Sequence, residues 1–140
     1  MLILKHTVET TATPAQIWRV WEDVETWKDW DHEIEFSQID GPFKSGTYGR
    51  LKMLRSPILR TQITKCEPLR MYVFEAKLLL AKAVSTSIID QIGDNTYVTF
   101  QNEIRGPLAF FYMLLLGRGI KDKTAREMQE MLKKASSIAY

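Results

Sequence analysis

The sequence has one cysteine, two histidines and no long hydrophobic run, and each shortage removes a class of protein. With Cys66 as the only cysteine, no intramolecular disulfide can form, which is typical of a reducing compartment. The longest apolar run, residues 108–116, has nine members, whereas a membrane-spanning helix needs about 20. The N-terminus, MLILKHTVET, lacks the charged start and long apolar core of a signal peptide. We therefore expect a cytoplasmic protein.

The scarcity of histidine and cysteine also limits the chemistry. Neither His6 nor His32 has a partner at metal-ligand spacing, so the sequence predicts no metal site and no cofactor. His32 is interpreted as a surface residue, and Cys66 as an inert strand thiol. An acid–base enzyme needs a positioned titratable group inside a pocket. The sequence shows no convincing one, so we favour a protein that is not an enzyme.

Charge is nearly balanced but unevenly distributed. The net charge is +2, which is too small by itself to imply a nucleic-acid partner. Residues 22–40 hold eight acids against Lys28, and residues 44–70 hold seven bases against Glu67. Two interpretations stay open: these segments are solvated faces, or a basic strand surface meets an acidic partner or anionic lipid headgroups.

Two short helices are predicted near the N-terminus, and they contain all four tryptophans. The tryptophans lie within thirteen positions, 18–30. Thr11 or Thr13 can cap the helix PAQIWRVWED, and Pro14 fits its first turn. The segment VETWKDW repeats apolar residues every three positions and predicts a second short helix.

Strands precede and follow these helices. LILKHTVETTA alternates as a strand, and six more period-two segments follow Asp31, separated by glycine and proline turns such as Gly93-Asp94-Asn95. Short connections favour an antiparallel meander. From Pro107 onward the pattern is helical, apolar all round at first and then amphipathic, and Gly117 and Gly119 can bend or interrupt the helix at the junction.

This order of elements predicts an α+β protein with one domain over residues 1–140. The apolar face of the sheet must be covered, and only the C-terminal helix is long enough to cover it. A curved sheet wrapped around a straight helix leaves a space between them. That space is either filled by large side chains or left as a pocket.

The stretch TATPAQIWRVWEDVETWKDWDHEIEFSQIDGPFKSGTYGRLKM resembles the START-like, or SRPBCC helix-grip, superfamily in its polyketide cyclase/dehydrase-like branch. The matching motifs are Pro14, Trp18, Asp23, WKDWD at 27–31 and GPFKSG at 41–46. NTYVTFQNEIRGPLAFFY is similar to the last strand and helix entry of that family. The resemblance implies a seven-stranded curved antiparallel sheet around a long C-terminal helix, with two short helices after strand 1. It also implies that the tryptophans are mainly core residues.

The inner wall of the sheet is where a ligand is expected. Asn102 would be an amide in an otherwise apolar wall, so it either pairs with Ser85, Ser87 or backbone, or orients a polar group of a ligand. Trp27 is predicted to contact a ligand because, in the fold of the resembled family, the corner between the two short helices borders a cavity entrance. The predicted ligand-binding residues are Trp27, Leu51, Met53, Ile63, Tyr72, Phe74, Val98, Phe100, Asn102, Phe111 and Leu115.

Three functions are weighed from these patterns. The first is binding of a hydrophobic small molecule, such as a lipid, isoprenoid, quinone or polyketide-like compound, in an internal cavity. The second is a cyclase/dehydratase-type enzyme acting on a polyketide-like substrate. The third is an interaction module that presents residues 108–116 and the basic strands to a protein or, transiently, to a membrane surface. Residues 107–119 and the 41–46 turn are expected to gate the cavity together.

Overall fold

A computed structural model describes residues 2–116 and 120–138 of the chain. The predicted order of elements is confirmed, with a 3₁₀ helix in place of the second short helix. The elements are β1 (Leu2–Thr10), α1 (Pro14–Glu22), the 3₁₀ helix (Val24–Asp29), β2 (Ile34–Ile39), β3 (Tyr48–Met53), β4 (Ile58–Glu67), β5 (Met71–Leu78), β6 (Ala81–Ile92), β7 (Asn95–Arg105), α2 (Ala109–Leu116) and α3 (Ile120–Ser136).

The start of α1 is fixed by a capping box, and Thr13 rather than Thr11 is the cap. The Gln16 backbone N–H donates to Thr13 Oγ1 at 3.2 Å, and the Thr13 N–H donates to Gln16 Oε1 at 2.9 Å. Pro14 occupies the first turn, where its missing N–H costs nothing. The helix then buries Ile17, Trp18, Val20 and Trp21 on the face that meets the sheet.

The seven strands form one antiparallel sheet in the order β1-β7-β6-β5-β4-β3-β2. Because neighbours along the chain pair with each other, the turns fall alternately at two ends. The β3–β4 turn, the β5–β6 turn and the end of β7 lie at one end, here called the α2 end. The β2–β3, β4–β5 and β6–β7 connections lie at the other, here called the Phe43 end.

The predicted C-terminal helix is described over two stretches, α2 and α3. Gly117 and Gly119, where an interruption was expected, lie outside the described residues. α3 packs mainly on α1 and β1, whereas α2 contacts β7. Within the described part of the chain, no helix is both long and apolar enough to cross a membrane.

The expected joint gate is wrong, because its two halves lie at opposite ends of the sheet. The 41–46 connection joins β2 to β3 beyond the Ile39–Gly49 pair, at the Phe43 end. α2 follows β7 beyond the Lys82–Arg105 pair, at the α2 end. The length of the strands therefore separates the 41–46 connection from the described part of the expected gate, residues 107–116, whereas residues 117–119 lie outside the described residues.

Candidate functional site

The interior beneath α1 is filled by a network of eight aromatic rings. Trp21 and Tyr72 have ring centroids 5.1 Å apart, and Trp27 and Phe74 are equally close at 5.1 Å. Phe43 closes the network at its own end of the sheet, 5.1 Å from Tyr72. The remaining members are Trp18, Trp30 and Phe100. All four tryptophans are buried, which agrees with the expectation that they are mainly core residues.

The structure divides the predicted wall residues into three groups. Six are buried in the core: Trp27, Leu51, Ile63, Tyr72, Phe74 and Val98. Three are half-buried on the inner face: Met53, Phe100 and Asn102. The last two, Phe111 and Leu115, lie on α2 and are 54% and 61% exposed, so they do not join the others in one wall. α2 follows the end of β7 and contacts that strand.

Part of the inner wall remains accessible at positions nearer the α2 end. Ile63 and Val98 are fully buried, and Ser87 is nearly so. Farther along the same face, Leu59 and Ala83 are only half-buried, whereas Ala76 and Ile104, which pair with Ala83 on either side, are buried. The wall therefore has a filled part under the aromatic rings and a partly open part. The half-buried residues of the open part are Met53, Leu59, Ala83, Ser85 and Asn102.

Asn102 and Ser85 form a polar pair in this open part of the wall. The Ser85 hydroxyl donates to Asn102 Oδ1 at 2.9 Å, across the directly paired positions of β6 and β7. Of the partners considered for Asn102, Ser85 is therefore the one that the structure shows. The bond occupies an oxygen of the amide, and the Asn102 NH₂ group remains a donor on the half-buried wall.

Three buried polar atoms near the aromatic network have no hydrogen-bond partner among the described residues. They are the indole nitrogens of Trp21 and Trp30 and the hydroxyl of Thr61. The indole of Trp27, in contrast, donates to the Trp21 carbonyl at 3.0 Å. Buried polar groups are normally paired, so these three are exceptions within the core.

A row of polar contacts joins α3 to the segment entering β2. Lys134 Nζ lies 3.2 Å from Asp29 Oδ2. Lys123 Nζ lies 3.2 Å from Glu33 Oε1. Between these two salt bridges, the side chain of Glu127 hydrogen-bonds that of Asp31. We call these six residues the polar seam.

The central pair of the polar seam joins two acids. Burial, followed by the charge of Asp31 and their hydrogen bond, raises the pKa of Glu127 from 4.5 to about 8. Burial also raises the pKa of Asp31, although the Glu33 backbone N–H, which donates to Asp31 Oδ1 at 3.0 Å, opposes the rise. The pair therefore holds a proton near neutral pH.

Sequence reasoning missed this pair. The sequence predicts for Asp31 only a role in capping or turning the chain into β2, and the structure shows its carboxylate accepting from the Glu33 N–H. A signal was present, because Glu127 lies three residues after Thr124 and four before Met131, both on the buried stripe of α3.

The pKa values of Tyr72 and Cys66 are also shifted by burial. Burial raises the pKa of Tyr72, and a hydrogen bond with Ser87 opposes this effect. Burial also raises the pKa of Cys66, which keeps the thiol protonated and unreactive at neutral pH. Among the described residues, no group of three or more His, Cys, Asp or Glu side chains is arranged to hold a metal ion.

Two surface grooves lie away from the wall. One, of about 370 Å³, runs between the α1 C-terminus and the β2–β3 connection, and its lining includes Glu22, Val24 and Phe43. The other, of about 430 Å³, is lined by Glu9, Thr10, Thr11 and Asn95. None of the predicted wall residues lines either groove.

The architecture described so far, a curved sheet gripping a C-terminal helix, recurs in solved structures of low sequence identity. The protein TTHA0849 from Thermus thermophilus is 12% identical, with a TM-score of 0.71 over 98% of this chain and 99% of that one. Norcoclaurine synthase from Thalictrum flavum, in complex with dopamine and hydroxybenzaldehyde, is 14% identical, with a TM-score of 0.72 over 98% and 87%. The di-domain ARO/CYC StfQ from the steffimycin biosynthetic pathway is 6% identical, with a TM-score of 0.77 over 97% and 51%.

These neighbours define the class of the chain as a helix-grip fold. The model of one family, described as polyketide cyclase / dehydrase and lipid transport, matches residues 1–136. The chain belongs to this family. No functionally curated protein has a significant sequence match to it. At these low identities, the structural likenesses establish the fold, whereas function must be argued from this chain's own residues.

Proposed function

We propose that the chain binds a hydrophobic small molecule against the open part of its inner wall. The observation that carries this proposal is that apolar inner-face residues, among them Met53, Leu59 and Ala83, are only half-buried although they face the concave side of the sheet. Apolar surface left accessible in a concavity is the usual setting of a ligand site. A lipid, isoprenoid, quinone or polyketide-like compound would complete the burial of these residues.

The polar groups near the wall favour a ligand with a polar end. Asn102 offers an amide NH₂ group beside its bond with Ser85. A ligand carbonyl or hydroxyl would accept from this NH₂ group while the apolar body of the ligand contacts the half-buried side chains. A few placed polar groups in an apolar pocket usually fix ligand orientation.

Titration with a fluorescent fatty-acid probe tests the proposal. Ala83→Phe fills the open part of the wall and should weaken probe binding at least tenfold. The matched control is Thr86→Phe, which adds a ring on the opposite face of the same strand and should leave affinity unchanged. Equal affinity of the two variants would contradict an inner-wall site. Asn102→Leu should lower the preference for a fatty acid over a hydrocarbon probe of the same length.

A second candidate function, a cyclase/dehydratase-type enzyme, is favoured by the Asp31–Glu127 pair. Because burial raises the pKa of Glu127 to about 8, this group is a protonated acid at neutral pH and can donate a proton. Asp31 directly follows Trp30, whose ring contacts Phe100 of the wall. On this hypothesis Glu127 protonates an oxygen of a bound polyketide-like substrate, and the Asp31 carboxylate receives a proton.

Cyclisation of a linear polyketone probe, followed by absorbance, tests the enzyme hypothesis. If Glu127 is the acid, Glu127→Gln should abolish turnover while probe binding remains. Glu130→Gln changes an exposed acid of the same helix and should retain activity. No turnover by the unmodified protein, with normal probe binding, would leave ligand binding as the function and reject catalysis of this reaction.

A further inference from the structure

Large apolar side chains are exposed at one end of the molecule. Eleven such side chains are more than half exposed among the described residues, and eight of them lie at the α2 end. Two of these eight, Leu54 and Ile58, flank the β3–β4 turn. The other six form what we call the apolar tip: Leu79, Leu80, Phe110, Phe111, Leu114 and Leu115.

Hydrogen bonds join the two parts of the apolar tip, which are the β5–β6 turn and α2. The Leu108 backbone N–H donates to the Leu80 carbonyl at 3.1 Å. The Tyr112 hydroxyl donates to the Leu79 carbonyl at 3.2 Å. Gly106 brings the end of β7 against the β5–β6 turn, since a Cβ placed there would lie 2.9 Å from Ala81 Cα. The turn therefore holds α2 with its apolar side chains outward.

The composition of α2 does not suit an ordinary surface helix. Its sequence, AFFYMLLL, contains no charged residue. A helix that packs on a core with one face normally has a polar face toward water. Here Phe110 and Leu114, one turn apart, are 58% and 63% exposed. This much clustered apolar surface is typical of a site that meets another apolar phase.

Basic residues cross the outer face of the sheet beside the apolar tip. Arg50 pairs directly with Arg60, Lys77 with Lys82, and Lys82 with Arg105. Arg60 lies one residue beyond the Thr61–Ala76 pair, which brings it next to Lys77. Five adjacent strands thus contribute one base each to a single row. We call this the basic row: Arg50, Arg60, Lys77, Lys82 and Arg105.

The stability of the sheet does not explain why five bases lie in the basic row. Like charges directly opposite on neighbouring strands destabilise a sheet. Glu75 offsets Lys82 at 3.0 Å, and Glu103 offsets Arg105 at 3.1 Å. Arg50, Arg60 and Lys77 take part in none of the salt bridges seen among the described residues. Their positive charge is therefore available to an external anionic surface.

The spacing between row and tip matches the depth of a bilayer interface. Lys77 and Lys82 lie two residues before Leu79 and two after Leu80, respectively. At a strand rise of about 3.3 Å per residue, the basic row lies roughly 7 Å from the apolar tip along the strands. Apolar faces of interfacial helices enter the headgroup boundary by about 5–10 Å. Bases at this distance would lie at the level of the lipid phosphates.

We propose that the apolar tip and the basic row together dock the protein on the surface of an anionic membrane. The tip enters the headgroup boundary without crossing it, and the row pairs with lipid phosphates and carboxylates. Neither element suffices alone, because stable peripheral binding usually requires both an apolar and an electrostatic contribution. This inference goes beyond ligand binding and does not depend on it.

Co-sedimentation with vesicles tests the docking surface. The full chain should bind vesicles of phosphatidylcholine with added phosphatidylserine, and bind pure phosphatidylcholine much more weakly. Raising the salt concentration should release it, because salt screens exposed charges. In the tip variant Leu79→Glu/Leu114→Glu, binding should be lost. Its matched control is Ile92→Glu, which changes an equally exposed apolar residue at the Phe43 end.

The basic row is tested separately. The double variant Arg60→Glu/Lys77→Glu should weaken binding to the anionic vesicles by at least about tenfold, because each base near such a surface contributes appreciably. Lys65→Glu reverses an exposed lysine of β4 toward the Phe43 end and should have a much smaller effect. All these positions are on the surface, so circular dichroism should show native folding in every variant.

Several results would overturn the proposal. Failure of the unmodified chain to bind anionic vesicles would do so, as would equal binding by the tip variant and Ile92→Glu. A chain that dimerises through the tip, becomes monomeric in the tip variant and ignores vesicles would show that a second copy covers this surface. The fatty-acid probe titration is made without vesicles, so failure of membrane docking is distinguishable from failure of ligand binding.

Discussion

The carboxyl group of Glu127 on α3 hydrogen-bonds the carboxyl group of Asp31, which precedes β2. Two ionised carboxylates cannot form this bond, so one of them must hold a proton. The flanking Lys134–Asp29 and Lys123–Glu33 contacts join opposite charges and need none. The centre of the polar seam is therefore the contact whose strength changes with pH near neutrality.

The first prediction is that the free energy of unfolding falls as pH rises from about 5 to about 8. The folded-state pKa of Glu127 is about 8, against an ordinary value of 4.5. Between these values the folded chain holds a proton that the unfolded chain has lost, so rising pH favours unfolding. The stabilisation is complete below the unfolded value and is lost as pH passes the folded one. Urea denaturation at a series of pH values measures it.

Two variants test whether Glu127 causes this pH dependence of the unfolding free energy. Glu127→Gln keeps a hydrogen-bonding side chain without the titrating proton, and it should flatten the dependence over this range. Glu130→Gln alters an exposed acid on the same helix and should retain the slope of the unmodified protein. If both variants show the original slope, another group is responsible and the pair does not share a proton as described.

A second prediction separates two buried tryptophans by their hydrogen bonds. Trp27 donates to the Trp21 carbonyl at 3.0 Å, whereas the Trp30 indole nitrogen has no partner among the described residues. Trp27→Phe should therefore cost about 1–3 kcal/mol more in unfolding free energy than Trp30→Phe, because it leaves a buried carbonyl unsatisfied. Chemical denaturation of both variants makes the comparison. Equal costs would mean that the Trp27 bond contributes nothing net.

The full removal of the Trp30 ring is a separate test of its place in the core. Trp30 is 5% exposed and contacts Trp27 and Phe100. Trp30→Ala should cost about 3–5 kcal/mol, as large buried aromatics do. Probe affinity per folded molecule should change little. A variant of near-native stability that no longer binds the probe would make Trp30 a site residue instead of a core residue.

A third prediction concerns the glycine that holds the apolar tip. Gly106 has a φ of +117°, and a Cβ there would meet Leu80 O and Ala81 Cα at 2.9 Å. Gly106→Ala should therefore push β7 away from the β5–β6 turn and weaken vesicle binding as well as stability. Gly93→Ala also places alanine at a positive φ, +63°, but with nothing within 4 Å. This control should lose some stability and retain vesicle binding.

The fold could be predicted almost completely, because its signals are local. Pro14 and the Thr13–Gln16 box mark the start of α1, and the Gly93-Asp94-Asn95 segment marks the β6–β7 hairpin. Short connections then determine the strand order. The motifs shared with the helix-grip family added the curvature of the sheet, which periodicity alone does not contain.

The site was less predictable, because it depends on contacts between distant segments. Asp31 and Glu127 are 96 positions apart, and only the packing of α3 brings them together. Phe111 and Leu115 are predicted on the wall because the start of the helix is apolar all round, and this excess apolar surface is expected to face a cavity, a partner or a membrane. Their helix instead follows β7 at the α2 end and leaves them exposed. The two-residue period of β7 predicts Asn102 on the inner face, and the pairing of β6 with β7 selects Ser85 among its possible partners.

The central claim is that the open part of the inner wall holds a hydrophobic molecule, and native mass spectrometry of the purified chain tests it most directly. We expect one apolar molecule bound per chain, present in Thr86→Phe and absent from Ala83→Phe. The same bound mass in both variants would place the molecule elsewhere. The claim would be contradicted if the unmodified protein had the mass of the chain alone, with no bound molecule, and also showed no saturable binding of the fatty-acid probe.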